Sequence, residues 1–339
     1  MLENQITVMY HKNCIDGLMA AVNYYALYQE HGFADSVTFL PVQYGEPLPP
    51  MKFIEDRVVI ALDFSFTYPQ TQEIIKACKH FTMLDHHQSA IDNLMQEGMF
   101  PDAEVWWSVN RDKKKYTVNG DNYYIVIDKE KSGATLAYDE VHQSIATVET
   151  LRALCYLSQR VADRDLWKFE FHDSKAVYEF MSCLKGDVDK VYNAIFKTTS
   201  TPMREIQDWL SWGDVRVQFR EELALNYAMK AVVVPFMGYD APVVNVASDF
   251  ASLVGDLLGK ENPLAVMYVV TVDKVLVSLR SNAAAGVNVK EIAAKFGGGG
   301  HDHAAGFSIP HEMLSELLTG KLGPRHPFFD KLKETANVR

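Results

Sequence analysis

Through the first half of the chain, short runs of aliphatic and β-branched residues alternate with stretches whose apolar positions recur every three or four residues. The runs at 5–10, 37–42, 58–62, 81–84 and 123–127 predict strands, and the stretches at 17–29, 70–79, 133–142 and 148–161 predict helices. Strands alternating with helices predict an α/β fold: a mostly parallel sheet with helices on both faces. Segment 97–121 breaks the alternation. It is rich in Trp, Lys, Asp and Asn and reads as a surface excursion, with Lys113, Lys114 and Lys115 as a solvated run rather than a phosphate contact. A long polar stretch at 202–230 with helical spacing predicts a connecting helix. The pattern then restarts, with strands at 232–236, 243–246, 265–270, 274–280 and 304–309 and helices near 250–258 and 289–296, as in a smaller second α/β domain. The expected organisation is a first domain over 1–200, a helical connector over 201–231 and a second domain over 232–339.

Composition narrows the class. The chain has 339 residues, 48% of them hydrophobic, enough for a large core without a structural metal. Cys14, Cys78, Cys155 and Cys183 are scattered with no CxxC pair, which predicts a reduced, cytoplasmic protein. The first residues lack the pattern of a secretory signal, and no stretch is long and apolar enough for a membrane span. A net charge of −11 argues against a protein that coats long nucleic acid through a broad basic face. A short anionic substrate fits better, held where metal ions and a few cations make a local positive pocket.

In an open α/β sheet, ligands bind beyond the carboxyl ends of the strands. At those ends stand His11, Cys14 and Asp16, then Asp63, then Asp85, His86 and His87, and after the helix through 161 come Asp163 and Asp165. A lone Asp there is ordinarily a turn or cap residue. Four segments delivering carboxylates and imidazoles to one rim suit divalent ions such as Mn²⁺, Mg²⁺, Fe²⁺ or Zn²⁺, and the donors suffice for two. Two ions side by side suit in-line attack at phosphorus.

The chain resembles the DHH phosphoesterase family with its DHH-associated C-terminal domain. The resemblance rests on HKNCIDG at 11–17, ALDF at 61–64, LDHH at 84–87, SGATLAY at 132–138, VADRDLW at 161–167 and GGGGHDHAAGF at 297–307, and so covers nearly the whole chain. It implies that His11 binds a first ion and Asp16 a second, that Asp63 bridges them, and that His86 and Asp163, taken in preference to Asp165, complete the second. It implies further that His87 faces the scissile phosphate and that Asp85 orients the histidines. The favoured ion is Mn²⁺. The sequence departs from the family at Cys14, where an acid is usual. A thiolate there would favour Zn²⁺ or Fe²⁺; as a bystander it would leave the first ion with one ligand fewer.

In the second domain the resemblance assigns phosphate or substrate-end binding to Gly298, Gly299, Gly300 and His301 and to the fork of Arg280. His303 is read as structural. The N-terminal domain would do the chemistry and the C-terminal domain would grip the distal part of the substrate. Trp106, Trp107, Tyr123 and Trp167 are equally candidates for stacking a base and for core packing. Three readings stay open: a 3′–5′ exonuclease or phosphodiesterase on short oligonucleotides or dinucleotides, a phosphatase on a small phosphate such as 3′-phosphoadenosine phosphate or polyphosphate, and a non-catalytic nucleotide-binding protein. The oligomeric state, a homodimer included, is left open.

Overall fold

A computed structural model describes residues 6–87, 90–91, 104–107, 115–184, 187–197 and 201–323. Two compact units divide between Val217 and Gln218. The first holds a seven-stranded sheet. Its strands are β1 (Ile6–His11), β2 (Val37–Val42), β3 (Val58–Leu62), β4 (His80–Asp85), β5 (Glu104–Trp107), β6 (Lys115–Asn119) and β7 (Tyr123–Asp128), in the order β2-β1-β3-β4-β7-β6-β5. The first five positions in that order run parallel, and β6 and β5 add antiparallel to β7.

Both faces of the parallel part are apolar, so its strands read as continuous aliphatic runs. Val8, Tyr10, Ile60, Leu62, Leu84 and Val126 point to one core, where helices α1 (Ile15–Glu30), α3 (Gly133–Val141) and α4 (Val148–Asp165) pack. Their neighbours Met9, Val59, Ala61, Phe81, Met83, Ile125 and Ile127 point to the other, under α2 (Tyr68–Ala77). Helices α5 (Ser174–Ser182) and α6 (Val188–Tyr192) complete the first side.

The expected excursion at 97–121 is in part sheet. Lys115–Asn119 alternates outward and inward, with Tyr116 and Val118 buried, and Lys115 is an exposed strand residue. Lys113 and Lys114 lie outside the described residues. Antiparallel strands need only one apolar residue in two, so this extension left a weak signal among its lysines.

Helix α7 (Pro202–Ala228) begins in the first unit and ends in the second. The second unit has a six-stranded sheet of β8 (Val232–Phe236), β9 (Tyr239–Asn245), β10 (Leu264–Val270), β11 (Val275–Ser281), β12 (Gly299–His301) and β13 (Ala304–Ile309), in the order β12-β13-β11-β10-β9-β8. Only β9 and β10 pair in parallel. Helices α8 (Ala251–Gly259) and α9 (Val289–Lys295) pack on this sheet, and α10 (Leu314–Leu318) follows β13. No described helix is long and apolar enough to cross a membrane, and all four cysteines are free.

Within the first unit α7 passes so close to α5 that a Cβ on Gly213 would stand 2.3 Å from the Ala176 carbonyl oxygen. Alanine in a helix gains about 1 kcal/mol over glycine, but overpacking against backbone costs about 1–3 kcal/mol. Gly213→Ala is expected to lower stability by about 1–2 kcal/mol in urea unfolding; a stabilised variant would show that the two helices part easily.

Candidate metal centre

The parallel register brings the carboxyl ends of three neighbouring strands to one edge. Tyr10 pairs with Leu62, and Leu62 with Leu84. His11 ends β1, Asp63 follows β3, and Asp85 ends β4 with His86 and His87 after it. Helix α1 returns directly onto β1, and only glycine allows it: a Cβ on Gly17 would lie 2.9 Å from the backbone nitrogen and oxygen of His11. That approach sets Asp16, in the first turn, beside the strand ends.

Asp63 has a left-handed backbone, φ +54°. Such a conformation costs an L-residue about 1–2 kcal/mol and is retained where the surroundings over-determine it. Here the Asp63 N–H donates to the Leu84 carbonyl at 2.8 Å, and the turn aims the carboxylate into the cluster.

Among the described residues, three groups of donor atoms lie close enough together to hold a metal ion: His11, Cys14 and Asp63; Asp16, His86 and Asp165; and Asp63, Asp85, His86 and His87. His86 Nε2 stands 3.1 Å from Asp63 Oδ1, 3.5 Å from Asp165 Oδ2 and 3.7 Å from Asp16 Oδ2. His11 Nδ1 lies 3.6 Å from Asp63 Oδ2. Both oxygens of Asp63 and Nδ1 of His11 are buried without a properly aligned hydrogen bond. Buried polar atoms are rarely left so. A pair of carboxylate oxygens and an imidazole nitrogen facing one another without partners are the donors a divalent cation would take, so the residues fit the ions that the sequence implies.

Asp16 is held from the far side. Its oxygens accept the N–H groups of Gly133 (2.5 Å) and Ala134 (3.0 Å), the first residues of α3, where the helix end is electropositive. Gly133 must be glycine, because a Cβ would meet the Asp63 Cβ at 2.4 Å. The segment at 132–138 was legible as family-like without a role; its role is to present these two N–H groups. Asp85 Oδ1 accepts the backbone N–H of His86 (2.7 Å) and of His87 (3.3 Å) and lies 2.7 Å from His87 Nδ1. Asp85 therefore orients the His87 ring, but only the backbone of His86.

Without ions, the cluster distributes its charge in a definite way. Burial pushes the Asp16 carboxyl well above the usual range, and the charges of Asp63 and Asp165 push it further. Burial likewise raises Asp165 and the Cys14 thiol. At Asp63 the burial effect is outweighed by His11, His86 and His87, and the group stays ionised. Burial would lower His86, but Asp63, Asp16 and Asp165 raise it to about 10. The acids around it thus favour the protonated form of His86.

Asp163 is a correction. Expected as a ligand, it is turned away: its carboxylate accepts the N–H of Glu170 (2.8 Å) and Phe171 (3.1 Å) and the hydroxyl of Ser174. Asp165 reaches the cluster instead. Residues two apart on a helix lie about 200° apart around its axis, so only one can face the site. Left-handed Trp167 (φ +57°) and Phe169 (φ +53°) reverse the chain over the helix end and bring the two N–H groups to Asp163.

In the second unit, the Arg280 guanidinium donates to Ser252 Oγ and the Leu279 carbonyl, both at 2.8 Å, and has no carboxylate partner among the described residues. The glycine run is a hairpin rather than an open loop: Gly299, Gly300 and His301 pair with Gly306, Ala305 and Ala304. Gly298 is required by the Gly306 carbonyl, 2.1 Å from its would-be Cβ, and Gly300 by its φ of +142° and the Ala304 carbonyl at 2.5 Å. Gly299 has open space around it, and His301 is exposed. His303 Nδ1 meets Ser281 Oγ at 3.0 Å, in keeping with a structural part. Of the aromatic candidates, Tyr123 packs into the first unit's core and Trp167 lies against Arg164; the side chains of Trp106 and Trp107 lie outside the described residues.

Asp163→Ala would leave two backbone N–H groups and a hydroxyl without their charged acceptor. The expected loss is about 3 kcal/mol in chemical unfolding, measured on metal-free protein so that ion binding does not enter. A loss under about 1 kcal/mol would contradict this anchoring role.

Comparison with known proteins places both units. Residues 237–320 match the DHHA1 domain. The structure of a DHH domain, from a protein described as a member of a family of ribosomal proteins, is similar over 94% of this chain and 85% of its own, at a TM-score of 0.55 and 15% identity. RecJ from Thermus thermophilus, solved with Mn²⁺, is similar over 93% of this chain and 51% of its own, at a TM-score of 0.46 and 13% identity. The uncharacterized protein R106 of Acanthamoeba polyphaga mimivirus is 32% identical over 91 residues, which are 24% of this chain and 22% of R106, so the chain spans about a fifth of that relative. The second unit thus carries a match to the DHHA1 domain, and the chain shares the fold of a DHH-domain protein.

Proposed function

We propose that this protein is a metal-dependent hydrolase of phosphoester bonds that acts on short oligonucleotides or dinucleotides. The observation that carries the reading is Asp63, whose two buried oxygens lack hydrogen bonds and face His11 on one side and His86 on the other. Asp63 would be shared between two ions. His11, with Cys14 in reach, would hold one; Asp16, His86 and Asp165 would hold the other. Oxygen and imidazole donors suit Mn²⁺, while a Cys14 thiolate would draw the first position toward Zn²⁺ or Fe²⁺. When bound, such ions make water more acidic and neutralise phosphoryl oxygens.

The protein's own groups supply the rest. Asp85 accepts at His87 Nδ1, which leaves Nε2 to donate toward a phosphoryl or leaving oxygen. Asp85 and Asp63 hold the His87 pKa up against burial, which favours the protonated ring. Arg280 of the second unit, largely buried and without an acid partner among the described residues, offers its planar fork to an anionic group. The net charge of −11 favours a short substrate over a long strand.

Mn²⁺-loaded protein is expected to cleave a labelled dinucleotide or short RNA in preference to a cyclic dinucleotide, 3′-phosphoadenosine phosphate and polyphosphate. No turnover on any of these substrates would overturn the reading. Asp63→Ala is expected to lower turnover at least about 1,000-fold and to reduce bound Mn²⁺ while the metal-free protein still unfolds cooperatively. Near-normal turnover in that variant would remove the bridging role.

Metal uptake is also expected to release protons. His86, at about 10 when metal-free, is protonated at neutral pH and must lose its proton to bind an ion. Mn²⁺ affinity should therefore rise about tenfold per pH unit through the neutral range below that pKa. Calorimetry in buffers of different ionisation enthalpy would show the released proton, and pH-independent binding would exclude His86 as a ligand.

A further inference from the structure

Beside the centre, and within the first unit, a cavity of about 530 Å³ opens between the end of β2 and the turn after β3. Its aromatic element is Tyr44, which lies on Phe64 with ring centroids 4.3 Å apart and planes at 27°. Phe64 is buried beneath, whereas Tyr44 is 40% exposed. The same ring stands edge-on to His11 at 5.3 Å and to His87 at 6.2 Å, so the cavity begins where the donor cluster ends. Pro47, Pro49 and Pro50 form part of the wall. Proline has no N–H and a fixed φ, so this wall is rigid and offers no backbone donors.

One polar atom on a lining residue, Gln43 Oε1, is buried without a hydrogen-bond partner, and Ser65 is turned to the Tyr44 hydroxyl, to which its N–H donates at 3.5 Å. An amide oxygen left unsatisfied beside an exposed aromatic ring is a feature of a site for a flat, polar-edged, aromatic molecule. The ring, steadied by Ser65, offers a stacking surface, and Gln43 accepts from an exocyclic amine. An aliphatic ligand would leave that oxygen unpaired at a cost.

We infer that this cavity is a nucleobase subsite, in which Tyr44 stacks the base of the nucleotide whose phosphate lies at the centre. The inference rests on the proposed action on nucleotides and adds where the base goes. Stacking of this kind tolerates any base, so the subsite selects nucleotides over other phosphoesters without reading sequence.

The test is equilibrium binding, with no turnover involved. Full-length Mn²⁺-loaded protein is titrated with adenosine 5′-monophosphate and with ribose 5-phosphate. The nucleotide is expected to bind about tenfold more tightly. Tyr44→Leu and Tyr44→Ala should erase that margin, Tyr44→Phe should keep it, and Gln43→Leu should reduce it several-fold. Equal binding of the two ligands by the unaltered chain, or a margin that survives Tyr44→Leu, would overturn the subsite. Failure to cleave any phosphodiester would instead bear on the proposed activity alone, because this measurement needs only binding.

Discussion

Asp16, Asp63 and Asp165 converge on one imidazole at the edge of a parallel sheet, and their mutual repulsion is the constraint that shapes the first unit. Two carboxylates about 4 Å apart repel by about 4 kcal/mol at the effective dielectric of a protein. The chain answers with positive charge from the proton on His86 and the electropositive start of α3 at Asp16, and Asp63 leaves two oxygens open that a divalent ion would fit. The close return of α1 at Gly17, the absent side chain at Gly133 and the left-handed turn at Asp63 are all means of holding these groups where they would not otherwise stay.

Much of this was legible because the strands carry it. Aliphatic runs at 58–62 and 81–84, each ending on an acid, announce a parallel sheet with a polar rim, and β2, β3 and β8 begin and end where the pattern expects. What escaped was set by geometry that no local pattern carries. Asp163 and Asp165 are equivalent by composition, and their parting depends on which face of a single turn meets the strand ends. The N–H groups of Gly133 and Ala134 are backbone and carry no residue signature. The antiparallel strand at 115–119 needs only two buried residues, and its lysine and asparagine hid them.

The glycine run of the second unit divides in a way that sequence alone could not. A row of four glycines suggests a cradle for an anion, yet two of them are required by the hairpin they build against β13. The hairpin leaves Gly299 and His301 at the surface as the part of the motif that steric demands do not explain. Arg280, from β11, belongs to the same unit, so an anion-binding surface there would be carried by strands rather than by a mobile turn, and its geometry would be set before any ligand arrives.

The bonds from Gly133 and Ala134 to Asp16 cross about 117 positions of chain. During synthesis, His11, Asp63, His86 and His87 leave the ribosome well before the groups that steady Asp16, and Asp165 leaves later still. A nascent chain arrested at residue 100 would have histidines and acids enough to seize a passing transition metal but no means of shaping the pocket around it. Vectorial translation thus delays the finished donor cluster until the fourth helix has emerged, so its last acid arrives only after the histidines are already outside the ribosome.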